Sequence, residues 1–242
     1  MTNKELAKKL IDVAKNYKTL YVMGCFGAPM TETNKIRYIK ENSYNAEVMR
    51  KAMINAATPD TFGFDCVCLI KGILWGWNGN KAHVYGGANY ISNGVPDIGA
   101  DGIIDVCKEV STNFNDIEVG ELVWMPGHVG VYVGDGLCIE CTPAWGNCVQ
   151  LTSCNKTIVG YNRRNWVKHG KLPYVTYEKE NKVESKKKLE SGNDIVWELM
   201  NGKHKIKIDD VKRAVNALDN AKNSKDFMSL YWILYKLVNG ND

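Results

Sequence analysis

The sequence contains no long hydrophobic run, and no stretch approaches the ~18 consecutive apolar residues that a membrane span requires. Its first segment, MTNKELAKKLIDVAKNYK, has the spacing of an amphipathic helix and lacks the apolar centre of a secretory signal peptide. We therefore expect a protein without a membrane span that is made in the cytoplasm and reaches an outer target only after release.

The sequence also lacks a strong charge of either sign, with a net charge of +4 at pH 7. Nucleic-acid-binding proteins usually carry a stronger basic bias, so this class of function is disfavoured. Hydrophobic residues make up 45% and charged residues 24%, which is ordinary for a globular protein and argues against a largely disordered chain.

Cysteine is well represented, and all eight cysteines precede residue 155. Without a signal peptide, reduced thiols are expected rather than disulfides. Two of the cysteines, Cys138 and Cys141, lie in the predicted strand LCIECT, where residues three apart face opposite sides. This spacing favours buried thiols and no metal, while the alternative is a zinc site formed by Cys138, Cys141, Cys148 and Cys154.

A run of charged residues divides the sequence. Residues 178–193 read EKENKVESKKKLESGN, without an aromatic residue, which is typical of a solvated linker. We therefore predict a main domain over residues 1–177, a linker over 178–192 and a small module over 193–242. Apolar residues at helical spacing predict three short helices in that last module.

The main domain has the pattern of an α+β fold. The segment FGFDCVCLIKGILWGW predicts a helix with an apolar face that begins at Cys66. The segments GELVWM, HVGVYVG, LCIECT and CVQLTS predict successive strands bounded by turn residues. We expect the helix that carries Cys66 to pack on an antiparallel sheet.

Cys66 is the candidate nucleophile because it occupies the predicted start of its helix. Asp65 precedes it and is a suitable cap. The free N–H groups of a helix start lower the pKa of a thiol and stabilise an oxyanion. The alternative for a single cysteine is a buried core residue.

His128 is the candidate base, since it opens the strand HVGVYVG directly after a Pro-Gly turn. A base at a strand end can pair with a thiol and protonate a leaving amine, and a third polar group usually orients it. If residues 134–136 form a three-residue loop, Gly130 pairs with Glu140, which then lies diagonally across from His128. A two-residue loop would turn Glu140 to the opposite face.

The segments FDCVCL and GELVWMPGHVGVYVGDGLCIE resemble the NlpC-type cell-wall cysteine peptidases, which are papain-like and related to the CHAP domains. The resemblance covers roughly residues 5–155, and Cys66, His128 and Glu140 occupy the positions of its three site residues. It also implies that Tyr21, in LYVMG, assists the nucleophile or the oxyanion.

The sequence departs from this family at two places. Val67-Cys68 replaces the usual Ser-Gly after the nucleophile, and the third site residue is usually His, Asn or Gln where this chain has Glu140. Trp145, in the loop TPAWGN, is a candidate for the substrate groove, together with Asp65 and Tyr21 as oxyanion or substrate residues.

The resemblance implies cleavage of an amide in the peptide stem of bacterial peptidoglycan, commonly the bond between γ-D-glutamate and a diamino acid, without a cofactor. A linker, a helical tail and no signal peptide look like a phage endolysin whose tail binds the cell wall. One alternative is an N-acetylmuramoyl-L-alanine amidase, or another amidase or acyltransferase, on the same fold. The other is a wall-binding protein without catalysis.

Overall fold

A computed structural model describes residues 1–177, and the predicted linker and three-helix module lie outside the described residues. The helices are α1 (Asn3–Asn16), α2 (Glu32–Glu41), α3 (Ser43–Ala46), α4 (Val48–Ala56), α5 (Cys66–Leu74) and α6 (Ala100–Asp105). The strands are β1 (Thr19–Tyr21), β2 (Phe26–Pro29), β3 (Phe62–Phe64), β4 (Lys108–Ser111), β5 (Leu122–Met125), β6 (His128–Gly134), β7 (Leu137–Thr142), β8 (Cys148–Cys154), β9 (Asn162–Arg164) and β10 (Lys168–Lys171). Within residues 1–177, no helix is long and apolar enough to cross a membrane.

The strands form two sheets. The smaller sheet has the order β1-β3-β2, and the larger has the order β4-β10-β5-β6-β7-β8-β9. Neighbours in the larger sheet are antiparallel except β8 and β9, which are parallel. The four predicted strands are confirmed as β5 to β8, so the described part has the predicted α+β architecture.

Helix α5 lies at the centre of the domain, and every residue from Cys66 to Leu74 is buried. Its sequence CVCLIKGIL is apolar on almost all sides, as expected of a helix that is covered all round. It packs against β2, β6 and β7. Gly72 permits the close approach to β2, because a Cβ atom there would lie 2.7 Å from the Phe26 carbonyl oxygen.

Helix α1 follows its predicted pattern. Thr2 and Glu5 form the predicted capping box, in which the Thr2 hydroxyl accepts from the Glu5 N–H at 3.2 Å. Leu6, Leu10 and Val13 are buried in the same core cluster as α5. The local signals of spacing and capping were therefore sufficient to predict this element.

The hairpin of β6 and β7 differs in detail from the prediction. Gly134 pairs with Leu137, so the turn has two residues, Asp135 and Gly136, both with the positive φ that a type I′ turn requires. A register shift between Tyr132 and Gly134 then adds one residue to β6. Of the two alternatives the turn is therefore the two-residue one, but the expectation that it would turn Glu140 to the opposite face is wrong, because the bulge restores the pairing of the three-residue loop further along the hairpin.

Candidate active site

Cys66 lies at the N-terminus of α5, as predicted, and Asp65 is the residue that fixes this helix start. One Asp65 carboxylate oxygen accepts from the Cys68 N–H at 2.6 Å, and the other accepts from the Gly24 N–H at 2.8 Å. Asp65 is therefore an N-cap that also ties α5 to the turn between β1 and β2. Burial raises the pKa of its carboxyl group.

The environment of the Cys66 thiol opposes ionisation. Burial raises the pKa of Cys66 to about 12, and the negative charge of the neighbouring Asp65 is the second cause of this increase. The N–H groups of Val129, Val67 and Cys66 itself lower that pKa, which is the effect expected at a helix start, but burial outweighs them. The expectation of a lowered pKa is thus wrong for the structure as it stands, and the resting thiol is protonated near neutral pH.

His128 is oriented by two neighbours on its face of the sheet. Its Nε2 atom lies 2.7 Å from a Glu140 carboxylate oxygen, and its ring stacks on Trp166 with 5.5 Å between centroids and 9° between planes. Gly130 makes room for that indole, since a Cβ atom there would lie 3.1 Å from the Trp166 ring.

The proton of His128 can be located from its partner. An ionised carboxylate can only accept, so the Nε2–H of His128 donates to Glu140, and Nδ1 is the ring nitrogen that remains for the thiol. Within residues 1–177, the His128 and Cys66 side chains make no hydrogen bond with each other. The N–H of Val129, the residue after His128, is nevertheless directed at the thiol, which brings the start of β6 to the start of α5.

Glu140 is fully buried and ionised. It contacts His128, accepts from the Thr152 hydroxyl at 2.7 Å, and accepts from Arg164 through Nε at 3.1 Å and Nη2 at 2.7 Å. Burial acts to raise the pKa of Glu140, but the hydrogen bonds from His128 and Arg164 outweigh it and hold this pKa below its ordinary value. The sequence prediction of contact between Glu140 and His128 is confirmed, whereas a catalytic role for either remains a prediction.

Arg164 was missed in the sequence analysis. It lies in β9, which joins the sheet through parallel pairing with β8, and its guanidinium also donates to the Thr142 hydroxyl at 3.2 Å. Trp145 covers it, with 4.5 Å between the guanidinium carbon and the ring centroid. Trp145 is 48% exposed but is not among the residues that line the cleft described below, so its predicted role in substrate binding stays a prediction.

Tyr21 lies at the end of β1 and lines the same cleft as Cys66. Burial is the main cause, and the neighbouring Cys66 the second, of a Tyr21 pKa well above the ordinary value. The phenol therefore keeps its proton and remains a hydrogen-bond donor. Arg50 holds it in place through a hydrogen bond to the Tyr21 carbonyl and through its guanidinium, 5.4 Å from the Tyr21 ring centroid.

A cleft of about 860 Å³ opens in front of Cys66. Phe26, Tyr85 and Tyr90 form part of its lining, and so does Gly127, which precedes His128. This volume lies in the range of known small-ligand and peptide sites. The cleft therefore has room for a short peptide beside the thiol.

The zinc alternative is not supported by the arrangement of the cysteines. Cys138 packs with Val123 and Trp166 on one side of the sheet, whereas the Cys141 thiol donates to the Phe64 carbonyl on the other side at 3.2 Å. The described residues hold no cluster of three or more His, Cys, Asp or Glu side chains that could bind a metal ion.

The chain was compared with protein families, curated proteins and solved structures. No protein-family model matches the chain, and no curated protein matches it. The solved structures of NlpC1 and NlpC2 from Trichomonas vaginalis are each similar over 70% of this chain, at 16% identity and a TM-score of 0.35. The aligned region spans 44% and 46% of those two chains, less than half of either. Similarity at this level supports no assignment by itself, so the function has to be argued from the site.

Proposed function

We propose that this protein is a cysteine hydrolase in which Cys66 is the nucleophile, His128 the general acid and base, and Glu140 the residue that orients His128. The observation that carries this proposal is the buried Glu140 carboxylate, which lies 2.7 Å from Nε2 of His128. His128 is the first residue of β6, and the N–H of the next residue, Val129, is directed at the Cys66 thiol at the start of α5. A cysteine protease site combines a thiol, an imidazole and a polar group that orients the imidazole, and here a carboxylate takes the third position.

The proposed reaction begins with transfer of the Cys66 proton to Nδ1 of His128. The thiolate then attacks the amide carbonyl, and N–H groups of the first turn of α5 and the Tyr21 hydroxyl stabilise the oxyanion. His128 returns the proton to the leaving amine, which breaks the C–N bond and leaves a thioester on Cys66. Water, deprotonated by His128, releases the acyl group as a carboxylic acid and restores the thiol.

The buried Glu140 charge supports this sequence of steps because it stabilises the imidazolium that forms after the first proton transfer. The raised pKa of Cys66 means that the thiolate is generated only when His128 accepts its proton. Active-site hydrogen bonds often tighten only when substrate binds, so the absence of a Cys66–His128 bond in the free protein is compatible with this role.

The proposed substrate is the peptide stem of peptidoglycan, and the motif resemblance around Cys66 and His128 supports it. Within this class we favour the bond between γ-D-glutamate and a diamino acid, with the N-acetylmuramoyl-L-alanine bond as the alternative. We also propose an endolysin-like role, in which the protein is made in the cytoplasm and reaches the wall after release. The charged segment 178–192 and the tail that follows it support a separate wall-binding module.

The test is lysis of purified bacterial cell walls, followed as the fall in turbidity. The full chain should clear the suspension, Cys66→Ala should abolish clearing, and Cys148→Ala should clear normally because Cys148 is a half-buried thiol outside the cleft. Equal lysis by Cys66→Ala and the wild type would overturn the proposal. Mass spectrometry of the released fragments then identifies the new amine and carboxylate ends, and so the scissile bond.

The second candidate is a wall-binding protein without catalysis. It is favoured by the burial that raises the pKa of Cys66 and by the lack of a hydrogen bond between the Cys66 and His128 side chains in the described residues. Such a protein would bind cell walls in a sedimentation assay but would release no fragment from them and would cleave no soluble muropeptide.

A further inference from the structure

Some of the charged side chains that line the cleft form salt bridges and others do not. Those that line it are Arg37, Asp65, Lys71, Asp97 and Asp101. Arg37 pairs with Glu41 at 3.0 Å, and Lys71 pairs with Asp97. Neither of the other two, Asp65 and Asp101, forms a salt bridge among residues 1–177, although Lys71 is close enough to Asp65 to act on its pKa.

Asp65 and Asp101 differ in what their oxygens do. Both oxygens of Asp65 accept backbone N–H groups inside the core, as the cap of α5. Asp101 is exposed, and a single oxygen, Oδ1, accepts both from the Trp124 indole N–H at 2.9 Å and from the Gly127 N–H at 2.8 Å. No donor among the described residues bonds its other oxygen, Oδ2.

The charge of Asp101 is stable at neutral pH. The Gly127 and Trp124 donors lower the pKa of its carboxyl group, so the group is ionised. Asp101 is therefore the carboxylate of the cleft that has both a free oxygen and an uncompensated charge among the residues the structure describes. A cationic group in the cleft would find its complement there.

The position of Asp101 also indicates which part of a substrate it would contact. Asp101 accepts from the N–H of Gly127, and Gly127 directly precedes His128, the residue that protonates the departing nitrogen in the proposed mechanism. Since Asp101 and Gly127 both line the cleft, we place the leaving part of the substrate on the side of the cleft where Asp101 is.

We propose that Asp101 is a specificity-determining residue that binds a cationic amine on the leaving-group side of the scissile amide. This inference rests on the proposed function and adds a requirement to it, since an N-acetylated leaving group loses the charge that Asp101 recognises. The contact is a charge-assisted hydrogen bond from an ammonium N–H to Oδ2.

The experiment compares two soluble muropeptides that differ only in whether the leaving-group amine is free or N-acetylated. Asp101→Asn retains a carbonyl oxygen for the Trp124 and Gly127 donors but removes the charge. The ratio of kcat/KM for the free over the acetylated peptide should fall about tenfold in this variant, mainly through KM, the loss expected for a charged hydrogen bond. An unchanged ratio overturns the inference.

The matched control is Asp105→Asn. Asp105 is the last residue of the same helix, is exposed and does not line the cleft, so the variant makes the same charge change elsewhere on α6. Its ratio should equal that of the wild type. If Asp105→Asn lowers the kcat/KM ratio as much as Asp101→Asn does, the loss comes from the change in net charge of the protein and not from recognition of the amine by Asp101.

A binding measurement separates this inference from the hydrolase proposal. Calorimetry on Cys66→Ala and on Cys66→Ala/Asp101→Asn should show about tenfold weaker binding of the free-amine peptide to the double variant, and this difference should shrink at high salt. If the wild type cleaves neither peptide but this difference appears, the hydrolase proposal fails and amine recognition stands. Equal affinities, or no measurable binding of the free-amine peptide, overturn the inference.

Discussion

Glu140 holds a negative charge in a position without solvent, and this charge is stable because three polar side chains surround it. His128 and Arg164 contribute most to its lowered pKa, and the Thr152 hydroxyl also binds it. The same contacts that keep Glu140 ionised also fix the ring of His128. Stability of the site and orientation of the base therefore depend on one carboxylate.

Glu140→Gln tests this role at the level of the residue. Glutamine keeps the size of the side chain but cannot stabilise an imidazolium, so we expect kcat on a soluble muropeptide to fall roughly 100-fold or more. Glu32→Gln, which changes an exposed carboxylate in α2, should leave kcat unchanged. Full activity of Glu140→Gln would remove Glu140 from the mechanism.

Cys66 gives a second prediction at this scale, from the pKa of its thiol. Because burial raises that pKa to about 12, the thiolate fraction in the free protein grows about tenfold per pH unit throughout the neutral and mildly alkaline range. The alkylation rate of Cys66 by iodoacetamide, followed by peptide mapping, should therefore rise continuously from pH 7 to pH 10. A plateau within that range would show a preformed thiolate–imidazolium pair and would contradict the resting state described above.

At the scale of the element, the close packing of α5 on β2 depends on Gly72. Alanine inside a helix usually stabilises it by about 0.5–1 kcal/mol relative to glycine. At Gly72 the added Cβ atom would lie 2.7 Å from a backbone oxygen of β2, so we expect Gly72→Ala to lower the free energy of unfolding by about 2 kcal/mol.

Gly102→Ala is the control for that prediction. Gly102 lies in α6, and the nearest atom to an added Cβ is 3.7 Å away, an ordinary contact. Urea unfolding should show this variant at least as stable as the wild type. If both variants gain stability, α5 is not held as closely to β2 as the structure indicates.

The elements also show where sequence reasoning succeeds. The start of α5 could be predicted because Asp65 and the apolar residues after it are local signals. The strands β5 to β8 follow consecutively, so alternation and pairing predicted the contact between Glu140 and His128 on the condition of a three-residue loop. The bulge near Tyr132 could not be predicted, since the choice between a three-residue loop and a two-residue turn with a bulge has no clear signature in GDG.

Long-range pairing accounts for what was missed. Arg164 is brought to Glu140 by the parallel pairing of β9 with β8, and Trp166 lies two residues after the end of β9, so neither contact with the site is visible from local spacing. The raised pKa of Cys66 was also missed, because the helix start is local whereas burial depends on everything that packs over it.

At the scale of the whole molecule, the proposed division of labour between residues 1–177 and the tail can be tested by truncation. A chain that ends at Tyr177 should hydrolyse soluble muropeptides at the rate of the full chain. On intact walls it should lyse about 100-fold more slowly, because a linked binding module raises the local concentration of the enzyme. Equal lysis of walls by both chains would show that the tail is not a wall-binding module.

The central claim is that Cys66 carries the acyl group of a cleaved amide. The most direct measurement is mass spectrometry of the protein after acid quenching during turnover of a soluble muropeptide. The account predicts an adduct with the mass of the acyl fragment, mapped to the peptide that contains Cys66 and sensitive to hydroxylamine, as a thioester is. Accumulation of cleaved product without any such adduct at Cys66, or with undiminished cleavage by Cys66→Ala, would contradict it.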